Sequence, residues 1–214
     1  MTVESKPRVS FIFPEQYEQT AVALGRAFIN DPPLVAILPD VTDPAARAAR
    51  LADLFRTVLS IQRRMGEPVF GILDGGKVVA AAIAEGASYT SMATFLALGV
   101  PKMPRMIAAV GWGGLRRSIQ LMDVLARNHP REPHLYLNYL GVDPEYQRMH
   151  CGQALLEHLR ALAAERTDVA GVYLETATEA NVAYYTSKGY ETLGEIYPLG
   201  VRMWRMFQRV RSAA

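Results

Sequence analysis

The sequence predicts one α+β (mixed α/β) domain, with a central twisted mixed sheet of about seven strands flanked by helices. Three observations carry this. The 214 residues are 50% hydrophobic and 21% charged, enough for one independent core and unlike a disordered chain. Short apolar runs bounded by Gly, Pro, Asn and Asp alternate with longer stretches at helical spacing. No repeat, low-complexity segment or linker divides the chain, so residues 1–214 read as a single domain.

Val9 to Phe13 reads as the first strand. Pro14 and Glu15 open a helix carrying Tyr17, Ala21, Leu24, Ala27 and Phe28. Asn30-Asp31-Pro32-Pro33 ends it, because the residue before a proline avoids the helical region. Residues 34–43 read as a loop with an apolar face formed by Leu34, Ile37 and Leu38. Thr42 or Asp43 caps the next helix, with Pro44 at its first position and Leu51, Leu54, Phe55, Val58, Leu59 and Ile61 as its buried stripe. Asp74-Gly75-Gly76 joins Val69–Leu73 to Lys77–Glu85 as a hairpin, despite the weak strand propensity of its alanines. Residues 86–103 read as irregular or partly helical. Met103 to about Arg127 reads as one helix or two, with a break among Gly111, Gly113 and Gly114.

His134 to Val142 is an apolar run of strand length, broken by Asp143-Pro144. A polar turn, Glu145 to Gly152, leads into Ala154, Leu155, Leu156, Leu159 and Leu162 at helical spacing. Val172 to Ala177 is a further strand. Thr178 or Glu179 starts a short helix that Gly189 ends. Tyr190 to Ile196 and Val201 to Val210 complete the sheet across a turn at Pro198 and Gly200.

The strand-loop-helix of residues 134–165 is the first candidate site. Amides between Gln147 and Gln153, together with the positive end of a helix, can cradle an anion. Gly152 permits close approach and Arg148 adds a cation. An ordinary exposed turn would read the same way. GVDPEYQRMHCGQALL, however, resembles the signature segment of the GCN5-related N-acetyltransferase (GNAT) family. Val142, Pro144, Gln147 and Gly152 occupy the matching positions, and His150 stands where the family pattern has a glycine. The resemblance implies a GNAT-like, mostly antiparallel sheet and acetyl-CoA as cosubstrate. It implies a coenzyme cradle of Gln147, Arg148, Met149, His150, Cys151, Gly152 and Gln153. Leu140, Gly141 and Val142 would pair with the pantetheine arm as an added strand does, with an amide near Leu140 facing the oxyanion. His150 is expected in ordinary helical dihedrals, since a histidine at positive φ costs roughly 1 kcal/mol. Cys151 is expected as a small core filler; adjacent residues do not face each other, which disfavours a Cys/His nucleophile pair.

LETATEANVAYYTSKGY, within the strand-helix of residues 172–190, resembles the closing segment of the same family. Asn181, Tyr185, Gly189 and Tyr190 match in order and spacing. The resemblance implies that Asn181 binds the pantetheine arm and that Tyr185 protonates the departing thiolate. Either Tyr184 or Tyr185 could instead be a core-edge residue. Alternation puts Tyr173, Glu175 and Ala177 on one strand face. Glu175 there either positions or deprotonates an amine, or is a salt-bridged surface residue. The Leu174-Glu175-Thr176 triplet and Asn30-Asp31-Pro32 resemble the puromycin-acetyltransferase-like branch. The acceptor pocket is sought in Asn30–Thr42, residues 86–115 and the Tyr197–Gly200 turn. Asp31, Trp112 and Tyr197 lead there, with Asp40, Glu85, Phe95 and Met106 as further candidates. Asn138 and Tyr139 point opposite ways by alternation, and Tyr139 is preferred as the lining residue.

A net charge of +2 is too small to argue for nucleic acid or an anionic membrane. The most apolar region, Met92 to Val110, is interrupted by Pro101, Lys102, Pro104 and Arg105, short of a spanning helix. With no signal-peptide pattern and a single cysteine, a cytoplasmic protein is expected, and a homodimer is open. No HExxH motif or Cys/His cluster points to a metal, and no G-x-S-x-G points to a serine hydrolase. The expected activity is direct transfer of an acetyl group from acetyl-CoA to the primary amine of a small molecule, in a ternary complex. The alternative is a non-catalytic acyl-CoA-binding sensor or interaction module.

Overall fold

In this computed structural model, which describes residues 7–86 and 100–210, turn chemistry sets the element boundaries. The strands are β1 (Val9–Phe11), β2 (Val69–Asp74), β3 (Lys77–Glu85), β4 (Leu135–Val142), β5 (Gly171–Thr176), β6 (Glu191–Ile196) and β7 (Met203–Arg209). The helices are α1 (Tyr17–Ala27), α2 (Pro32–Ile37), α3 (Pro44–Met65), α4 (Met103–Arg127), α5 (Cys151–Glu165) and α6 (Glu179–Ser187). Gly75 and Gly76, at φ 54° and 83°, supply the two left-handed residues that a tight β2–β3 hairpin requires. Asp43 caps α3 by accepting the Ala46 amide at 2.7 Å, and Gly66 ends it at φ 73°. Gly111, at φ 69° and ψ 172°, supplies the break expected in α4.

Residues 34–43 depart from the expected loop, because α2 occupies Pro32–Ile37. Asp31 accepts the Leu34 amide at 3.2 Å and Pro32 takes the first helical position, which is a helix-start signal. Six residues are too few for periodicity to register. The irregular stretch expected after Glu85 falls largely on residues 87–99, Phe95 among them, outside the described residues.

The fold is a mixed α/β arrangement with a central, mostly antiparallel seven-stranded sheet in the order β1-β2-β3-β4-β5-β7-β6. Every neighbouring pair is antiparallel except β4–β5. Leu24, Leu34, Phe55, Leu59, Ile83 and Val110 pack α1 to α4 on one face. Leu137, Leu155, Leu159, Leu174 and Met206 pack α5 on the other, with α6 against it through Val182 and Tyr185. Burying one such leucine or phenylalanine stabilises by about 1.5–3 kcal/mol. Gly141 matters for this packing: a Cβ there would lie 2.8 Å from Leu24 Cδ2 and 3.0 Å from Ala27 Cβ, so its bare backbone lets α1 rest on β4. Among the described residues no helix is long and apolar enough to cross a membrane.

One feature of the sheet positions the site. The parallel β4–β5 ladder pairs only Leu135 with Val172 and Tyr136 with Tyr173. Both strands run on, to Val142 and Thr176, without pairing to each other. A bulge accompanies the split: Ile83 pairs with Tyr139 and Ala84 with Leu137, leaving Asn138 as the extra residue. The sheet thus opens at its centre and leaves β4 with a free edge.

Candidate active site

The split between β4 and β5 holds a cavity of about 110 Å³. Its wall includes Asp31, Asn138, Tyr139, Glu175, Asn181 and Tyr185, residues from the loop before α2, from β4, from β5 and from α6. Asn138 and Tyr139 both line it, which corrects the expectation that only one could. The bulge at Asn138 interrupts the alternation that would have turned them to opposite faces. Asn138 Nδ2 donates to buried Glu85 at 3.0 Å, so Glu85 orients a wall residue and does not itself face the cavity. Tyr139 is wedged edge-on against Phe28 and Phe55, at ring separations of 5.8 and 5.0 Å.

Glu175 is the most perturbed carboxylate of the wall. Burial pushes its pKa up to about 7, against hydrogen bonds from Tyr173 and Tyr136 and the positive Arg205, which pull it down. The Tyr173 hydroxyl donates to Glu175 Oε1 at 2.7 Å. Arg205 is its cross-strand partner on β7. Behind the two tyrosines sit His129 and His134, with Nε2 atoms 2.9 Å apart. His129 packs edge-on to Tyr136 at 4.7 Å, and burial holds its pKa down at about 3, so the pair presents neutral rings there. The sequence reading missed this tyrosine clamp. Its signal was the i, i+2 spacing of Tyr173 and Glu175 on one strand face.

Tyr185 and Tyr184 divide the space between them. Tyr185 is half-buried on the cavity wall, and among the described residues nothing hydrogen-bonds its hydroxyl. Burial pushes its pKa up to about 12, so it carries its proton at neutral pH. Tyr184 points toward the start of α5: a Cβ on Gly152 would meet its hydroxyl at 3.9 Å, Leu140 Cδ2 at 3.6 Å and Val142 Cγ2 at 3.7 Å. The end of β4, the first turn of α5 and Tyr184 of α6 therefore lie together, beside the cavity wall that Leu140 and Tyr185 help to form.

The loop before α5 is held at its root by Asp143, which bonds the Glu145 amide at 3.1 Å and pairs with Arg26 at 3.2 Å. Gln147, Arg148, Met149 and His150 are exposed. Arg148 and His150 are left-handed, at φ 69° and 58°. This corrects the expectation of helical dihedrals at His150. The residue takes the conformation a glycine would, because the chain must turn there to enter α5. Among the described residues no side chain caps α5, and the Ala154 amide donates to the His150 carbonyl at 3.0 Å. The amides of Cys151, Gly152 and Gln153 therefore point outward from the helix start. The Gln153 side chain is engaged with Glu157 at 2.8 Å, leaving its backbone amide for a ligand. Cys151 is buried in the core, its thiol raised by burial, as a filler would be. Replacing His150 by Gly is expected to raise unfolding free energy by a few tenths to about 1 kcal/mol, read by urea denaturation.

Two acceptor candidates lie elsewhere. Trp112 is 73% exposed on α4 and Tyr197 is 59% exposed, its hydroxyl bonded to Glu195 at 2.6 Å. Neither lines the cavity; the α4 face that reaches it carries Leu121 and Leu125 and not Trp112. Asp40 is exposed and Met106 belongs to the core under α3 and α4. A larger cavity of about 430 Å³, lined by Asp53, Arg56, Lys102 and Arg105, lies between α3 and α4 and holds none of the candidate residues.

The family model described as Acetyltransferase (GNAT) family matches residues 41–190. Among solved structures, the chain is similar to a Corynebacterium glutamicum protein described as histone acetyltransferase HPA2 and related acetyltransferase. The TM-score is 0.72 at 22% identity, over 98% of this chain and 99% of that one. It is also similar to the ribosomal-protein-S18-alanine N-acetyltransferase of Escherichia coli, with TM-score 0.55 at 19% identity over 97% and 96% of the two chains. For the polyamine N-acetyltransferase of Drosophila melanogaster the TM-score is 0.54 at 18% identity, over 94% and 97%. At such identities the structural likeness is one of fold. The family match takes in the split strands, the uncapped start of α5 and the helix bearing Tyr185, and by it the chain belongs to the acetyltransferase (GNAT) family.

Proposed function

We propose that this protein transfers the acetyl group of acetyl-CoA to the primary amine of a small molecule, directly and within a ternary complex. One observation carries the reading: a single cavity brings a half-buried carboxylate whose pKa its surroundings push up to about 7, Glu175, together with a protonated tyrosine, Tyr185. Such a pair of opposite proton affinities is what amine acylation needs.

The residues present fit coenzyme A. The outward amides of Cys151, Gly152 and Gln153, with left-handed Arg148 and His150 before them, suit a pyrophosphate. The edge of β4 from Leu137 to Val142 that β5 leaves unpaired suits an extended amide-bearing arm, with Asn181 on the same cavity wall as Leu137 to Leu140. When bound, acetyl-CoA supplies an activated thioester. Glu175, ionised, takes the proton that an entering ammonium must lose. Tyr185 holds a proton for the departing sulfur. Neither residue forms a bond to the acetyl group in this scheme. The Glu175 and Asp31 segments also support a place near the puromycin-acetyltransferase-like branch, which they resemble.

His150, where the family pattern has a glycine, is the feature that keeps a non-catalytic acyl-CoA-binding module in play. The backbone at His150 keeps the turn a glycine would make, so that residue does not argue against catalysis. The test is thiol release from acetyl-CoA across a panel of small primary amines. Turnover with at least one acceptor is expected; coenzyme binding with no turnover on any would overturn the reading. The Gly152→Ala variant examines the start of α5 separately. Its Cβ meets only ordinary contacts of 3.6 to 3.9 Å, so the melting temperature should hold. The methyl fills space the coenzyme needs, and its Kd is expected to rise about tenfold by calorimetry.

A further inference from the structure

The wall of the cavity contains two carboxylates, Asp31 and Glu175, and among the described residues no Lys, Arg or His. The two are not equivalent. Glu175 has Arg205 opposite it on β7 and two tyrosine hydroxyls on its oxygens. Asp31 uses Oδ1 to accept the Leu34 amide at 3.2 Å, and among the described residues its Oδ2 has no partner. Among the described residues no cation offsets it: burial pushes its pKa up to about 6, with the Leu34 amide pulling down. Its negative charge is felt at Tyr139 and Tyr185, so it faces the reacting end of the cavity. The surrounding wall is apolar, with Phe28, Leu34, Leu121, Leu125 and Met203. At about 110 Å³ the space lies well below the few hundred Å³ of ordinary ligand pockets.

We infer that the acceptor is a compact cationic amine with an apolar body and no carboxylate, and that Asp31 selects it. This rests on the acetyl-transfer reading of the cavity. The ammonium group supplies the countercharge Asp31 lacks, and the apolar walls take the body. A free amino acid would bring its carboxylate into a chamber already holding two, with no cation to receive it; like-charge juxtaposition of that kind is how a site rejects a competitor.

The test uses three probes with one side chain: isoamylamine, leucinamide and leucine. Leucinamide has the bulk of leucine without its negative charge. With saturating acetyl-CoA, kcat/KM for isoamylamine and leucinamide should exceed that for leucine by about 100-fold or more. Asp31→Asn keeps the cap on α2, because asparagine serves that position as well as aspartate; Asp31→Ser is a second cap-preserving variant. Both should raise KM for isoamylamine by about 30-fold, leave coenzyme A affinity within twofold and shrink the discrimination against leucine. Equilibrium binding of the same three probes in the presence of coenzyme A is measured alongside. Asp31-dependent binding of isoamylamine without turnover would overturn the acetyl-transfer reading and support the amine site. Leucine bound or turned over as well as isoamylamine would overturn the selectivity, and an unchanged isoamylamine KM and Kd in both variants would overturn the role of Asp31.

Discussion

Tyr185→Phe is expected to lower kcat by roughly 10²- to 10³-fold, with KM for the amine and Kd for coenzyme A each changing less than about threefold. The asymmetry follows from where the hydroxyl sits. The ring is half-buried between Tyr184 and Tyr190, at centroid separations of 5.6 and 5.5 Å, and phenylalanine keeps those contacts. The hydroxyl has no hydrogen-bond partner among the described residues, so its loss strands no buried group. An interaction made only as the thiolate departs shows in kcat and not in ground-state binding. The measurement is steady-state thiol release beside calorimetric binding of coenzyme A. If Tyr185→Phe retained more than half of wild-type kcat, proton donation would have to come from elsewhere in the site. Tyr184 is then the next group to test, since its hydroxyl lies beside Gly152 at the start of α5.

The fold was legible because its punctuation is local. Asp74-Gly75-Gly76, Asp43-Pro44, Gly66 and Gly189 each mark a boundary with a residue whose backbone or side chain demands it. The helix α2 escaped because six residues are too few to show a period, although Asp31 and Pro32 carried its start signal. The site was legible where one short segment builds it: the loop from Gln147 to Gln153, and the α6 positions Asn181 and Tyr185. It was illegible where distant segments converge. That Asp31 and Glu175 share a wall depends on the opening of β4 from β5, which alternation does not reveal. Both placements of Asn138 and Tyr139 depend on one bulge. Trp112, beside the glycine break of α4, and Tyr197, at a turn, are aromatic residues at interruptions, yet exposure and direction are tertiary properties. His150 was judged on its intrinsic backbone cost of roughly 1 kcal/mol, and the requirement to turn into α5 outweighed it.

Glu175→Gln is expected to lower kcat/KM by about 10²-fold at pH 8 and to abolish the rise of activity with pH that the wild type should show. Burial holds the Glu175 pKa near 7, so the base is mostly protonated at pH 6 and mostly ionised at pH 8. Wild-type kcat/KM should therefore climb nearly tenfold per pH unit below that value and level off above it, once acceptor ionisation is divided out. Glutamine cannot take the proton, so the variant's corrected profile should lack the inflection. The same burial has a consequence for folding with the opposite sense. The folded chain keeps the Glu175 proton to a higher pH than the ordinary carboxylate value of 4.5, so ionisation between about pH 4.5 and 7 costs the fold stability. That cost is absent in Glu175→Gln, so the melting temperature of the variant relative to the wild type should rise between about pH 4.5 and 7. A variant that lost activity by unfolding would melt below the assay temperature at pH 8. An unshifted inflection in Glu175→Gln would move the base to Asp31, which burial has poised about one pH unit lower on the same wall.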